Sequence, residues 1–275
     1  MFSLNLRGRM VEFGRPAVMA IINATPDSFY SGARNAGERS VGEALEQGAD
    51  MLDLGAYSSR PGAPEVDPEE EWHRLKPVLA AARRLGGDIP VSIDTFRAEI
   101  ARRALDEGAD IINDISGGMM DEAIDDVIVG YGVPFIIMHM RGTPATMQSL
   151  TDYSAQGGVT ADVITFLARR IAELSAKGVN DIIVDPGFGF AKTVDQNYEL
   201  LRDLPLVIDT LQRPMLVGLS RKSMFYKPAG LTPADVLPAT CGANLAALQA
   251  GAAILRVHDV GAARQIVDLH GRLSM

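Results

Sequence analysis

The chain has 275 residues, 47% of them hydrophobic, a single cysteine and a formal net charge of −9. That length is near the usual size of one (β/α)8 barrel, and the apolar content suffices for a packed core. The acidic balance argues against non-specific nucleic-acid binding, no apolar run approaches the ~20 residues that span a bilayer, and one cysteine excludes an internal disulfide.

The chain opens with MFSLNLRGRMVEF, which alternates polar and apolar residues and lacks the apolar core of a secretory signal. Residues 1–14 are therefore expected to form a short N-terminal β-hairpin, turning at Arg7-Gly8-Arg9 and capping the bottom of the fold. With the lone Cys241 reading as a packing residue in an Ala-rich helical stretch, the chain fits a reducing cytoplasm and no membrane.

Eight apolar runs then succeed one another, at 17–23, 49–55, 90–95, 109–114, 133–139, 180–185, 214–220 and 252–258. Each is short and rich in Ile, Val, Leu and Met, as parallel strands buried on both faces are. Helical patterns separate them. Asp67-Pro68-Glu69-Glu70-Glu71 opens one, with a capping acid, proline in the first turn and acids at the positive end of the dipole. Thr95-Phe96-Arg97-Ala98-Glu99 is expected to open another. Gly48, Gly108, Gly178 and Gly251 stand where a left-handed residue returns a helix to the next strand. Eight strand–helix units predict an α/β fold, a (β/α)8 TIM barrel, with an open doubly wound sheet as the alternative. No low-complexity segment or linker marks a second domain, so 1–275 reads as one domain.

In such barrels the C-terminal strand ends carry the active site. The runs reach Asn23, Gly55, Asp94, Asn113 with Asp114, His139, Asp185, Ser220 with Arg221, and His258, which should share one pocket. Asp94, Asn113 and Asp185 form an acid-and-amide side, suited to a nitrogen heterocycle with paired N–H donors. An acid/base pair or hard-metal ligands would use the same residue types, and Asp114 could simply cap the next helix. The glycines of Asp185-Pro186-Gly187-Phe188-Gly189-Phe190 allow close approach to a ligand. The run through Thr193 lacks the spacing of a phosphate-binding P-loop. Arg256 and His258, one residue apart on a strand, point the same way. With Arg60 and Asn23 they form a cationic side suited to an anion. Lys222 reads as a cationic donor to a ligand carbonyl; a Schiff-base amine is the alternative. His139 is expected to be packed and hydrogen-bonded, and His73 and His270 to be exposed on helices.

Together these motifs resemble the dihydropteroate synthases: Asn23-Ala24-Thr25-Pro26-Asp27-Ser28-Phe29, Ser58-Ser59-Arg60-Pro61-Gly62, Ser92-Ile93-Asp94-Thr95, Asn113-Asp114-Ile115-Ser116-Gly117-Gly118, Met138-His139-Met140, Asp185-Pro186-Gly187, Ser220-Arg221-Lys222-Ser223 and Arg256-Val257-His258-Asp259. They occur in that family's order over nearly the whole chain. The resemblance implies condensation of 6-hydroxymethyl-7,8-dihydropterin diphosphate with 4-aminobenzoate, in folate biosynthesis. It assigns the pterin to Asp94, Asn113, Asp185 and Lys222. The diphosphate falls to Asn23, Arg60, Arg256 and His258, with Mg²⁺ at Asn23. The 4-aminobenzoate site, where sulfonamides compete, falls to Ser59, Pro61, Phe190, Lys222, Ser223 and Phe29. A homodimer is implied in the same way. Two places depart from the commoner family pattern: Tyr57 replaces an acid, and Tyr30-Ser31-Gly32-Ala33 replaces the D-G-G after Phe29. The rival readings are a pterin-binding methyltransferase barrel, which uses a methylated folate and a corrinoid partner, and a non-catalytic pterin-binding module.

Overall fold

The computed structural model describes residues 1–24, 36–57 and 65–274. The N-terminal hairpin is present: β1 (Phe2–Leu6) pairs antiparallel with β2 (Arg9–Phe13), and Leu6 stands opposite Arg9. Its two-residue turn places both Arg7 (φ 55°) and Gly8 (φ 88°) in the left-handed region, which matches the twist of the flanking strands.

Eight parallel strands make up the main sheet: β3 (Ala17–Asn23), β4 (Met51–Gly55), β5 (Val91–Asp94), β6 (Ile111–Asp114), β7 (Phe135–Met138), β8 (Ile182–Asp185), β9 (Leu216–Val217) and β10 (Ile254–Val257). They run β8-β7-β6-β5-β4-β3-β10-β9, and a parallel bridge between Val184 and Met215 joins the two ends of that order. The sheet therefore closes on itself as a TIM barrel rather than an open doubly wound sheet. The seventh strand is shorter than its apolar run of 214–220 suggests, because the chain leaves the ladder after Val217.

The helices between them are α1 (Ala36–Glu46), α2 (Pro68–Gly86), α3 (Ala98–Asp106), α4 (Ile124–Tyr131), α5 (Val159–Ala176), α6 (Val194–Arg202), α7 (Leu204–Leu211), α8 (Ser223–Tyr226), α9 (Leu237–Gln249) and α10 (Val260–Leu273). Asp67 caps α2 by accepting from the Glu70 N–H, with Pro68 in the first turn. Gly48, Gly108, Gly178 and Gly251 all have φ between 86° and 105°, the conformation expected of them. The Thr95 segment differs from expectation. Its helix begins at Ala98, whose N–H goes to Asp121 of another segment, while Thr95 Oγ1 donates to Glu71 and accepts from Arg97 N–H. A long-range acceptor replaces the local cap. Among the described residues no helix is long and apolar enough to cross a membrane.

Strand alternation sorts the core into two faces. Val18, Ala20, Leu52, Leu54, Ile93, Ile112, Ile137, Val184 and Leu255 pack outward with the helices. Ala17, Met19, Met51, Ile111, Ile136, Ile183, Leu216 and Ile254 pack inward, and Leu4 and Leu6 of the hairpin join this inner cluster. The hairpin thus plugs the N-terminal end of the barrel.

Candidate active site

Two residues further along β4, β6, β8 and β10, the same inward face changes character. Met51 is followed by Asp53, Ile111 by Asn113, Ile183 by Asp185, and Ile254 by Arg256. A period of two leaves no choice: if the lower residue points into the barrel, so does the upper one. Apolar side chains fill the lower layer, and the layer above is charged.

Asp53, Asn113 and Arg256 of that layer form one connected network with Asp94. The Arg256 guanidinium donates from Nε to Asp53 Oδ2 and from Nη2 to Asp94 Oδ2, at 2.6 Å each. Asn113 Nδ2 donates to the same Asp53 Oδ2 at 3.0 Å. Asp94 and Asn113 are register partners on β5 and β6. Burial raises the Asp94 pKa; Arg256 opposes the shift, and the nearby Asp53 and Asp114 charges add to it. Asp185 is likewise raised by burial, against the Gly187 N–H bond and the Lys222 charge. Burial in turn pulls Lys222 down to about 8, with Asp185 opposing. A lysine with a depressed pKa was not readable from the sequence, since it depends on what surrounds the amine.

The acid-and-amide side and the cationic side expected from the sequence are therefore not separate. Arg256 belongs to both: it lies against Asp53 and Asp94, while His258, two residues on, turns to Ser220. His258 Nδ1 and Ser220 Oγ lie 3.0 Å apart, and loss of water around the ring followed by the Arg256 and Arg221 charges lowers the His258 pKa. Arg221 holds φ 55° and makes two bonds to Asp259, at 2.9 and 2.6 Å, tying the loop after β9 to the one after β10. Ser223 starts α8 directly after Lys222, so the serine and the amine share one loop end. Asn23 ends β3, opposite Gly55.

The loop after β8 is held from beneath. Lys192, buried, donates to the Gly187 and Phe190 carbonyls at 2.9 and 3.1 Å and lies 3.0 Å from His139 Nδ1. His139 Nε2 in turn faces Asp162 at 2.9 Å, and Arg141 makes two further bonds to that carboxylate. Burial, then the Lys192 charge, lowers His139 to about 4, so the ring is neutral at pH 7. Its partners define the tautomer: Nε2–H donates to Asp162, and Nδ1 accepts from Lys192. His139 is thus the packed, hydrogen-bonded residue expected. Gly187 (φ 72°) carries the tightest approach, because a Cβ there would sit 2.0 Å from the His139 carbonyl oxygen. A glycine is needed here to admit the neighbouring backbone. Lys222 Nζ lies 4.6 Å from the Phe190 ring centroid, a cation–π contact that joins the two.

Asp114 caps no helix, since α4 starts only at Ile124. Fully buried, it accepts from the Ser116 N–H and hydroxyl and from the Gly118 N–H, at 2.7 Å each, which shapes the turn after β6. Tyr57 meets Phe96 edge-on at 5.2 Å, with the Arg97 guanidinium 5.4 Å from its ring centroid. It packs where an acid would bring charge. Cys241 is half-buried on α9, His73 is exposed, and His270 is half-buried with its carbonyl bonded to Ser274. Of the residues expected at the site, Phe29, Ser59, Arg60 and Pro61 lie outside the described residues, as does Ser31.

Two polar residues at the centre escaped the sequence reading. Asp53 is hidden inside the run Met51-Leu52-Asp53-Leu54-Gly55, and Lys192 lies seven residues beyond a strand end. The signal for Asp53 was available: one acid in an otherwise apolar strand, at an inward-facing parity. Lys192 gave no such signal, because its role depends on His139, 53 residues away, and on the fold of its own loop.

A family model for pterin binding enzymes matches residues 19–258. The dihydropteroate synthase of Synechocystis is 43% identical over 259 residues, which covers 92% of this chain and 88% of that protein. The chain belongs to the dihydropteroate synthase family. Two solved structures of dihydropteroate synthase from Xanthomonas albilineans each cover 99% of this chain and are themselves covered to 98%. The dihydropteroate synthase with 4-aminobenzoic acid superposes with a TM-score of 0.89 at 36% identity, and the one with 7,8-dihydropteroate with 0.86 at 34%. The family's barrel and its motif order thus extend over essentially the whole chain.

Proposed function

We propose that this chain condenses 6-hydroxymethyl-7,8-dihydropterin diphosphate with 4-aminobenzoate, giving 7,8-dihydropteroate and diphosphate. The observation that carries the reading is the single hydrogen-bonded layer in which Asp94, Asn113 and Arg256 meet, beside Asp185 and Lys222, at the C-terminal end of a family barrel. Carboxylates and an amide accept from the adjacent N–H groups of a pterin, and Lys222 donates to its carbonyl.

The C–O bond to the diphosphate breaks first, and the leaving group takes the electron pair. Arg256 and Arg60 offset the charge that develops on it, and the neutral His258 ring offers it a hydrogen bond. The methylene cation left behind is stabilised by Asp94 and Asp185. The amine of 4-aminobenzoate attacks it, forms the C–N bond and loses its proton to solvent. A weakly basic aromatic amine needs no strong general base, so positioning and charge supply most of the effect. Ser59, Pro61, Phe190, Lys222, Ser223 and Phe29 would hold the 4-aminobenzoate.

Mg²⁺ suits the donors at hand. Among the described residues no cluster of three or more His, Cys, Asp or Glu could hold a metal alone. A hard cation that keeps its waters and binds mainly through substrate phosphates needs only one or two protein oxygens, here the Asn23 amide. When bound, it would neutralise part of the diphosphate charge. The same reading makes residues 1–275 one domain with residues 1–14 as its hairpin, the protein a cytoplasmic homodimer, and small molecules its partners.

The assay is direct. Protein, Mg²⁺ and pterin diphosphate, with and without 4-aminobenzoate, should form dihydropteroate only when the amine is present. No product would defeat the proposal, and methyl transfer from methyltetrahydrofolate to a corrinoid would replace it with the methyltransferase reading.

A further inference from the structure

We propose that Asp53 is a positioning residue for the reaction, holding the Arg256 guanidinium and the Asn113 amide in the orientations that face the substrate. This inference rests on the function proposed above and adds a residue to it.

Asp53 itself cannot reach a ligand. It sits mid-strand on β4, fully out of solvent, one inward step above Met51 and one below Gly55. Its reach is through one oxygen. Oδ2 accepts from Arg256 Nε at 2.6 Å and from Asn113 Nδ2 at 3.0 Å.

Each bond removes a degree of freedom that matters above it. Nε carries a single hydrogen, so engaging it fixes the direction in which the guanidinium plane leaves the side chain. The second bond, from Nη2 to Asp94 Oδ2, stops rotation within that plane. Of the five N–H donors of an arginine, two are then engaged by carboxylates and three remain. Rigid donors arranged in advance are what stabilise charge developing on a leaving group.

For Asn113 the consequence concerns identity as well as direction. An amide can present either its oxygen or its nitrogen, and the neighbours decide which. With Nδ2 committed to the Asp53 carboxylate, Oδ1 is left as the acceptor for an N–H on the substrate. A ligand edge rich in N–H donors is thereby preferred over one rich in acceptors.

The charge pattern supports the same role. Two carboxylates, Asp53 and Asp94, share one guanidinium. A buried pair needing only neutrality would be complete with Asp94 alone. The extra acid raises the proton affinity of Asp94, which Arg256 opposes. Its compensation is geometric: without it Arg256 could collapse fully onto Asp94, and the Asn113 amide could turn over.

The test is Asp53→Asn, isosteric but uncharged and carrying N–H donors of its own, compared with wild type for turnover and for binding of the bare pterin. In folded protein, kcat/KM for pterin diphosphate should fall by about tenfold or more, the scale of a lost bond to a charged group. Bare pterin should bind more weakly through Asn113. The KM for 4-aminobenzoate should stay within about twofold, a split that general destabilisation would not produce. Asp53→Asn and Arg256→Ala should also be strongly non-additive. Should Asp53→Asn not fold, Asp53→Glu keeps the charge but moves the carboxylate by one methylene, and the same split is expected. Kinetics and pterin affinity unchanged in either folded variant, or additive effects with Arg256→Ala, would overturn the inference. A wild-type protein that makes no product defeats the proposed activity instead, so the two failures are told apart.

Discussion

The two ends of this barrel are built from the same eight strands and differ in almost everything else. At the N-terminal end, Met19, Met51, Ile111, Ile136, Ile183, Leu216 and Ile254 close on Leu4 and Leu6 of the hairpin. At the C-terminal end, one residue pair higher, Asp53, Asp94, Asn113, Asp185 and Arg256 occupy the same inward face, and several are held away from their ordinary protonation equilibria. The lower layer gains stability from burying hydrocarbon, whereas the upper one gives up some of it to desolvated charge. A barrel tolerates this because the strands are long enough for one layer of each kind. Stability and chemistry are thereby separated along the strand axis by about two residues.

Breaking the lower end should unfold the molecule without touching the reaction. Leu6→Ala empties a fully buried site beneath the barrel and is expected to cost roughly 2–5 kcal/mol in chemical denaturation, with turnover per folded molecule unchanged. A comparable fall in kcat/KM would show that the two ends are coupled.

Breaking the upper end should do the reverse. Asp185→Asn removes a buried carboxylate that accepts from Gly187 N–H and lies near Lys222, and pterin affinity should fall by roughly 1.5–3 kcal/mol in a calorimetric titration. The denaturation midpoint should change little or rise, since a raised carboxylate pKa means that its charge is disfavoured in the fold. Unaltered pterin affinity would remove Asp185 from the site. The same titration should weaken in the wild type as pH rises through about 8, where Lys222 loses its proton.

The smallest effect sharpens the boundary between the two ends. Asp162 supports the loop after β8 from outside the pocket. Burial raises its pKa, but the bonds from His139 and Arg141 prevail and hold it down at about 2, against an ordinary 3.8. An acid whose folded pKa is depressed contributes stability that is present above the unfolded value and is lost as pH falls through the folded one. The stability gap between wild type and Asp162→Asn should therefore narrow as pH drops from 3.8 towards 2. A gap independent of pH would mean that Asp162 acts by shape and not by charge.

Much of this was legible in advance, for reasons that differ by residue. The helix cap at Asp67, the left-handed glycines and the hairpin turn at Arg7-Gly8 are local, and local chemistry decides them. The inward parity of Arg256 and His258 follows from a period of two. Where expectation failed, distant partners had intervened: Asp121, and not Thr95, accepts the first N–H of α3. Dividing the rim into two sides failed for the same reason, since Arg256 is 203 residues from Asp53 and 162 from Asp94 in sequence.

By itself the sequence determined the eight strands, the plug, the rim on which chemistry sits and the family to which the chain belongs. Those depend on periodicity, turn residues and the order of short motifs, all written along the chain. Only the tertiary structure decided which rim residues touch, that Asp53 accepts from both Arg256 and Asn113, that Lys192 braces the loop after β8, and in which direction the charges of Asp94, Asp185 and Lys222 are displaced. Hydrogen-bond partnership and desolvation are properties of what surrounds a side chain, and those surroundings exist only once the barrel has closed.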